Sequence, residues 1–122
     1  MVAALLDTNI LIDFLRGVSA AHDELQRYRE KSISIITWME VLAGAPEGNE
    51  KATRQFLKGF NVIHLDEEIA ARAVSIRQQH RVKLPDAVIW ATAEVEKLLL
   101  VTRNTKDFPE NFPGVRVPYK LS

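Results

Sequence analysis

The sequence predicts an α/β protein, a parallel sheet covered on both faces by helices. Three observations predict it. Short apolar runs stand at residues 2–6, 32–36, 61–65 and 99–102. Between them lie stretches whose apolar residues recur at helical spacing. Caps and breakers (Asp7, Gly17, Gly44, Pro46, Asp66 and Pro85) sit where one period gives way to the other. Parallel strands need long crossovers, usually helical, and such sheets are buried on both sides.

Length and composition fit this class. The 122 residues make one domain (1–122), 47% hydrophobic and 26% charged, an ordinary globular balance with a chain long enough to bury a core. No cysteine is present, so there is neither a disulfide framework nor thiolate chemistry. The apolar N-terminal run is short, lacks a basic flank and is broken by Asp7. It is neither a signal peptide nor a membrane span, and a cytoplasmic protein is expected. No internal repeat, low-complexity segment or linker divides the chain.

The elements follow in order. Residues 2–6 read as a buried strand, and a helix from about Asn9 to Arg16 ends at Gly17. Ser19 caps a second helix to about Glu30, with Ala20, Ala21, Leu25 and Tyr28 on its apolar side. Ser32 to Ile36 is a β-branched strand. Thr37 to Ala43 is a helix ended by Gly44, and Glu50 to Lys58 another, presenting Ala52, Phe56 and Leu57. Asn61 to Leu65 is a third strand. Asp66 then opens a helix with Glu67 and Glu68 in its first turn and Arg77 near its end, an order that complements the macrodipole. Its buried face is Ile69, Ala73 and Ile76. Leu84-Pro85-Asp86 starts the next helix, where proline near the first position loses no hydrogen bond; Val88, Ala91, Val95 and Leu98 follow at helical spacing. Leu99 to Thr102 is a strand, and Val115 to Val117 a last short one.

Four acids stand at informative places, each with a plain structural reading beside the functional one. Asp7 suits an N-cap. Thr37-x-x-Glu40 matches the capping box, in which the glutamate turns back to the cap N–H. Asp86 lies in a first helical turn, favoured by the dipole. Asp107 lies in the polar turn Asn104-Thr105-Lys106-Asp107-Phe108-Pro109, where Asp is common. Their shared address is the stronger observation. Asp7 follows the first strand, Glu40 lies one helical turn after the second, and Asp107 follows the fourth. Asp86 opens the helix that runs back to the fourth strand, so its N-terminus lies at the same rim. In open α/β sheets that rim of strand carboxyl ends is where ligands bind.

Carboxylates gathered there repel unless a cation neutralises them. An oxygen-only set with no His or Cys suits a hard ion, Mg²⁺ or Mn²⁺. Such an ion activates water and offsets charge building on a phosphoryl oxygen, so the reaction class is phosphodiester hydrolysis. Net charge is zero, but setting the four acids aside leaves 12 acidic against 16 basic residues. Arg77, Arg81 and Lys83 precede Asp86, and Arg103 and Lys106 flank Asp107. They form either a basic rim for a phosphate backbone or an ordinary solvated surface. His64, within a strand, reads as a structural residue, and His22 and His80 as surface residues. Trp38 and Trp90 read as core.

Taken together, Leu6-Asp7-Thr8-Asn9, Met39-Glu40-Val41, Leu84-Pro85-Asp86-Ala87 and Leu100-Val101-Thr102-Arg103-Asn104-Thr105-Lys106-Asp107-Phe108 span nearly the whole chain. In that order they resemble the PIN-domain ribonucleases, specifically the VapC-type toxins of toxin–antitoxin pairs. The resemblance implies a three-layer α/β/α sandwich around a central, mostly parallel sheet of four to five strands. It implies Mg²⁺- or Mn²⁺-dependent endoribonuclease activity on RNA and a homodimer. A cognate antitoxin is implied too, its C-terminal segment wrapping the cleft. Asp7 and Asp86 match the principal metal ligands, and Glu40 a ligand or the group that orients the attacking water. Some relatives carry the fourth acid at the position of Asn104, others at that of Asp107. Asn104 is a candidate to hold Asp7 or a metal-bound water, and Thr8, Asn9 and Thr102 to support the ligands by hydrogen bonds.

Three other readings share the fold. An aspartyl-phosphate phosphatase would want a second Asp where Asn9 stands. A receiver-like switch would want an acceptor Asp after a middle strand, but Asp66 looks like a helix cap. A catalytically inactive PIN-like module would bind RNA or protein without cutting.

Overall fold

A computed structural model describes residues 3–121; Met1, Val2 and Ser122, part of the expected first strand and domain span, lie outside the described residues. Five strands form one sheet: β1 (Ala4–Leu6), β2 (Lys31–Ser34), β3 (Asn61–Ile63), β4 (Leu99–Val101) and β5 (Val115–Arg116). Their order is β3-β2-β1-β4-β5, and every neighbouring pair is parallel. Helices α1 (Thr8–Leu15) and α2 (Ser19–Gln26) connect β1 to β2. Helices α3 (Ile35–Ala43) and α4 (Glu50–Leu57) connect β2 to β3, and α5 (Glu67–His80) and α6 (Leu84–Val95) connect β3 to β4.

The period-2 alternation of the central strands divides the interior into two cores. Leu5 and Leu100 face Ile69, Ala73 and Ile76 of α5 and Ile89 and Trp90 of α6, with Phe108 closing that layer. Ala4, Leu6, Ile33 and Val101 face the other way, onto Ile10, Leu11, Leu25, Val41 and Leu57. Each fully buried Leu or Ile contributes about 1.5–3 kcal/mol, and filling both faces makes the three-layer sandwich.

Several boundaries differ from the expected ones, with identifiable causes. Ser34 ends β2 and caps α3 by accepting from Ile36 N at 3.0 Å, so Ile35 and Ile36 belong to the helix, not the strand. The capping box at Thr37 therefore does not form. Ser19 makes no cap bond; Val18 holds the cap position of α2, which stops at Gln26 with Tyr28 buried in the turn beyond. On α4 it is Thr53 rather than Ala52 that is buried beside Leu57. β3 ends at Ile63, leaving His64 outside it and exposed, not a structural residue. His22 and His80 are exposed, His22 stacked on Phe14 at 3.9 Å. Trp90 is core; Trp38 is half-buried beneath the Arg54 guanidinium. Asp66 accepts from Ile69 N at 2.8 Å and is a cap, as its place after β3 suggested.

The topology decides where chemistry can sit. From β1 the chain moves to β2 on one side, and it later returns through α5 and α6 to β4 on the other side of β1. The crevice outside the carboxyl ends of β1 and β4 is thus the topological switch point, the usual ligand address of an open parallel sheet.

Candidate active site at the switch point

Asp7 is the first residue after β1 and caps α1, so the cap and site readings describe one carboxylate. It is only 3% exposed. Oδ1 accepts from Thr8 N at 2.8 Å, while Oδ2 accepts from the Thr102 hydroxyl at 2.7 Å and from Asn9 Nδ2 at 3.1 Å. Burial raises its pKa; the bonds from Thr102, Thr8 and Asn9 oppose the rise, and the charge of Glu40 adds to it. Thr102, fully buried after β4, spends its one proton on Asp7 and accepts from Asn104 N at 2.9 Å. The two strand ends at the switch point are therefore tied through this hydroxyl.

Glu40 reaches the same place from α3. Because α3 starts at Ile35 rather than Thr37, Glu40 lies well inside the helix and points out of it, exposed. The Thr8 hydroxyl lies 2.7 Å from Glu40 Oε1 and 3.0 Å from Thr37 Oγ1. Having one proton, it gives it to the carboxylate, and the Thr37 proton completes the second contact. Thr8 thus links Asp7, through its backbone, to Glu40, through its side chain.

Asp86 arrives as the third residue of α6, whose N-terminus lies at the rim. Burial first, then the charges of Asp7 and Asp107, a hydrogen bond with Asp107 and the charge of Glu40 push its pKa up to about 6. The other three sequence-predicted acids therefore all bear on the Asp86 carboxyl. Asp107 sits in the turn after β4, held by Asn104 from both sides: Asn104 Nδ2 donates to Asp107 Oδ2 at 3.0 Å, and Asp107 N donates to Asn104 Oδ1 at 3.2 Å. Asn104 does not bond Asp7, as the sequence had allowed; its amide serves Asp107.

Among the described residues, no three His, Cys, Asp or Glu side chains close into a ready ligand shell. The chemistry of the donor set nonetheless fits a hard cation. It is all oxygen, it has no Arg or Lys partner among the hydrogen bonds above, and at Asp7 and Asp86 the neighbouring acids add to the rise in pKa that burial begins.

The expected basic rim is only partly there. Arg103 turns inward to Asp13, and Arg77 donates to the carbonyl of Val82 at 2.9 Å. Arg81, Lys83 and Lys106 remain exposed. Thr37 and Asp13 were missed by sequence reasoning. The available signal for Asp13 was a charge three residues after Ile10, on the apolar face of α1.

A family model described as PIN domain matches residues 4–111. The chain is 35% identical over 125 residues to Ribonuclease VapC10 of Mycobacterium tuberculosis (strain ATCC 25618 / H37Rv), covering 96% of this chain and 93% of that one. It is 31% identical over 128 residues to the tRNA(fMet)-specific endonuclease VapC of Shigella flexneri, covering 95% and 96%. Among solved structures, a toxin–antitoxin complex from Klebsiella pneumoniae contains a chain 48% identical, with a TM-score of 0.93 over 98% of this chain and all of that one.

Proposed function

The chain belongs to the PIN-domain family, and from that membership we propose that it is a divalent-metal-dependent endoribonuclease, the toxin of a toxin–antitoxin pair. Residues 1–122 act as one PIN-like domain. The observation that carries the reading is the convergence on Asp86, whose pKa is raised first by burial and then by the charges of Asp7, Asp107 and Glu40 from three other parts of the chain. Asp7 and Asp86 would hold the ion, with Glu40 and Asp107 completing or orienting its surroundings. The ion is Mg²⁺ or Mn²⁺, since the donors are hard oxygens. When bound, it supplies charge neutralisation at the scissile phosphoryl and a more acidic water.

The residues of the chain do the rest. Thr102, Thr8 and Asn9 fix the plane of the Asp7 carboxylate, which keeps its orientation without rearrangement as charge develops. Glu40, exposed and steadied by Thr8, stands where it can accept a proton from an attacking water. Arg81, Lys83 and Lys106 offer positive charge to an RNA backbone. A groove of about 410 Å³ between α1, α3 and α4 is lined by Ile12, Leu15, Val41, Ala45 and Pro46, and Leu15 and Met39 are exposed apolar residues. An apolar segment of the cognate antitoxin would cover such a surface. The enzyme acts as a homodimer in the cytoplasm; no helix among the described residues is long and apolar enough to cross a membrane.

The test is cleavage of end-labelled RNA by protein stripped with chelator and resupplied with Mg²⁺ or Mn²⁺. Cleavage that returns with the ion in wild type and is absent in Asp7→Asn supports the reading. Equal cleavage by Asp7→Asn, or cleavage that persists in chelator, overturns it.

A further inference from the structure

Behind the acids lies a part-buried ion pair that the nuclease reading does not use. Asp13, on α1, is 1% exposed. Its carboxylate takes a two-pronged fork from Arg103, Nε to Oδ2 at 2.7 Å and Nη2 to Oδ1 at 2.9 Å. Tyr119, in the segment after β5, donates its hydroxyl to the same Oδ2 at 2.8 Å. A pair of this kind is weak evidence for stability, because desolvation offsets much of the attraction. What it does supply is fixed geometry.

That geometry is passed to the acids. Arg103 N donates to Asn9 Oδ1 at 3.1 Å, and the other end of the Asn9 amide donates to Asp7 Oδ2 at 3.1 Å. The residue after Arg103 is Asn104, which grips Asp107 by side chain and backbone. Arg103 is thus the point at which the turn carrying Asp107 is pinned to the helix that follows Asp7.

We propose that Asp13, Arg103 and Tyr119 are positioning residues, a clamp that holds the Asn104–Asp107 turn against α1 so that Asp107 and Asp7 are presented to a divalent ion as one set. The proposal rests on the reading of these acids as a metal site. It also gives the segment after the last strand a role in the site, through one hydroxyl. The chain contains its own control. Glu24, 4% exposed, takes the same fork from Arg116 at 2.7 and 3.0 Å, but that pair joins α2 to β5 and its side chains bond none of the four acids.

The experiment compares Arg103→Lys, Tyr119→Phe and Arg116→Lys. Lysine keeps the charge and loses the fork; Tyr119→Phe removes one hydroxyl and keeps the ring, so it tests the clamp even where Arg103→Lys fails to fold. Three quantities are read, Mn²⁺ affinity by calorimetry, kcat on RNA and hydrogen exchange of the Asp107 amide, with KM on RNA as a fourth that should hold. Arg103→Lys is expected to weaken Mn²⁺ binding and lower kcat by about tenfold each, the usual effect of removing a ligand's support. KM should change little, and the Asp107 amide should exchange faster. Tyr119→Phe shifts all three in the same direction by less, and Arg116→Lys lowers the melting temperature alone. Wild-type Mn²⁺ affinity and amide protection in Arg103→Lys would overturn the clamp, as would an equal loss in Arg116→Lys. Should wild type bind no Mn²⁺ and cut no RNA, the nuclease reading fails separately. Exchange at Asp107 then judges the clamp alone: faster in Arg103→Lys but not Arg116→Lys supports it, and no difference refutes it.

Discussion

Replacing Asp86 with asparagine should flatten the pH dependence of stability in the metal-free protein. The folded chain raises the Asp86 pKa from 3.8 to about 6 through burial and the charges of Asp7, Asp107 and Glu40. A carboxyl that holds its proton more tightly when folded favours the fold while protonated. That contribution is fully present below its unfolded value near 3.8 and is lost as pH rises through about 6. For a wholly buried group the shift would correspond to ~3 kcal/mol. Asp86 is partly open to water, and screening leaves roughly half, ~1.5 kcal/mol. Asparagine keeps the shape and carries no charge, so this swing disappears. The assay is urea unfolding in chelator from about pH 4.5 to about pH 7.5; because this window opens above 3.8, wild type should lose ~1 kcal/mol more than Asp86→Asn across it. Excess Mn²⁺ at the upper pH should restore stability to wild type and not to the variant, because an ion bound only to the fold stabilises by mass action. Equal pH slopes in the two proteins would refute the reasoning, since the Asp86 carboxyl would then be shifted neither by burial nor by its neighbours.

Asp7→Asn should abolish Mn²⁺-dependent stabilisation and RNA cleavage; a melting scan with and without the ion reads the first, a gel the second. Thr102→Val removes the hydroxyl that Asp7 and Asn104 share; metal affinity by calorimetry should fall about tenfold, and unfolding should show a loss of about 1–3 kcal/mol for the buried group left unpaired. Ser34→Ala should cost about 1 kcal/mol of stability as a lost cap, with Mn²⁺ affinity unchanged. Glu40→Gln should do the reverse, slowing cleavage without destabilising α3, because Glu40 caps nothing.

The sheet and the rim of acids were legible because each depends on local pattern. An apolar run, a carboxylate and a helical period are enough to set Asp7 at a strand end, and the crossover rule carries the other strand ends to the same side. Boundaries depended on finer competition. Ser34 and Thr37 are both good caps three residues apart, and the strand pairing of Ser34 with Ile63 let the earlier one win. That choice turns Glu40 from a capping partner into a group facing the crevice, a difference local pattern does not resolve. The sequence leaves the Asn104 amide open between Asp7 and a metal-bound water for a related reason: its bond to Asp107 is decided by the tightness of a four-residue turn. Asp13 shows in the sequence only as a charge on an apolar helix face, because its partners Arg103 and Tyr119 lie 90 and 106 residues away.

Pairing, rather than burial, separates the proposed site acids from those that hold the structure. Asp7, Asp13 and Glu24 are all almost wholly buried. Burial alone would raise the pKa of each, and in Asp13 and Glu24 it is outweighed: Arg103 and Tyr119 bring Asp13 below its usual value, and Arg116 and Tyr28 do the same for Glu24. Asp7 has only neutral donors, Thr102, Thr8 and Asn9, and its pKa stays raised. Neutral donors orient a carboxylate without cancelling its charge, so that charge is left to be met by a proton or by a cation from outside the chain. An arginine at Asp7 would satisfy the fold and close the site. Its absence there, beside arginine forks at both other buried acids, makes the unpaired carboxylate at the switch point the feature on which the proposed metal site rests.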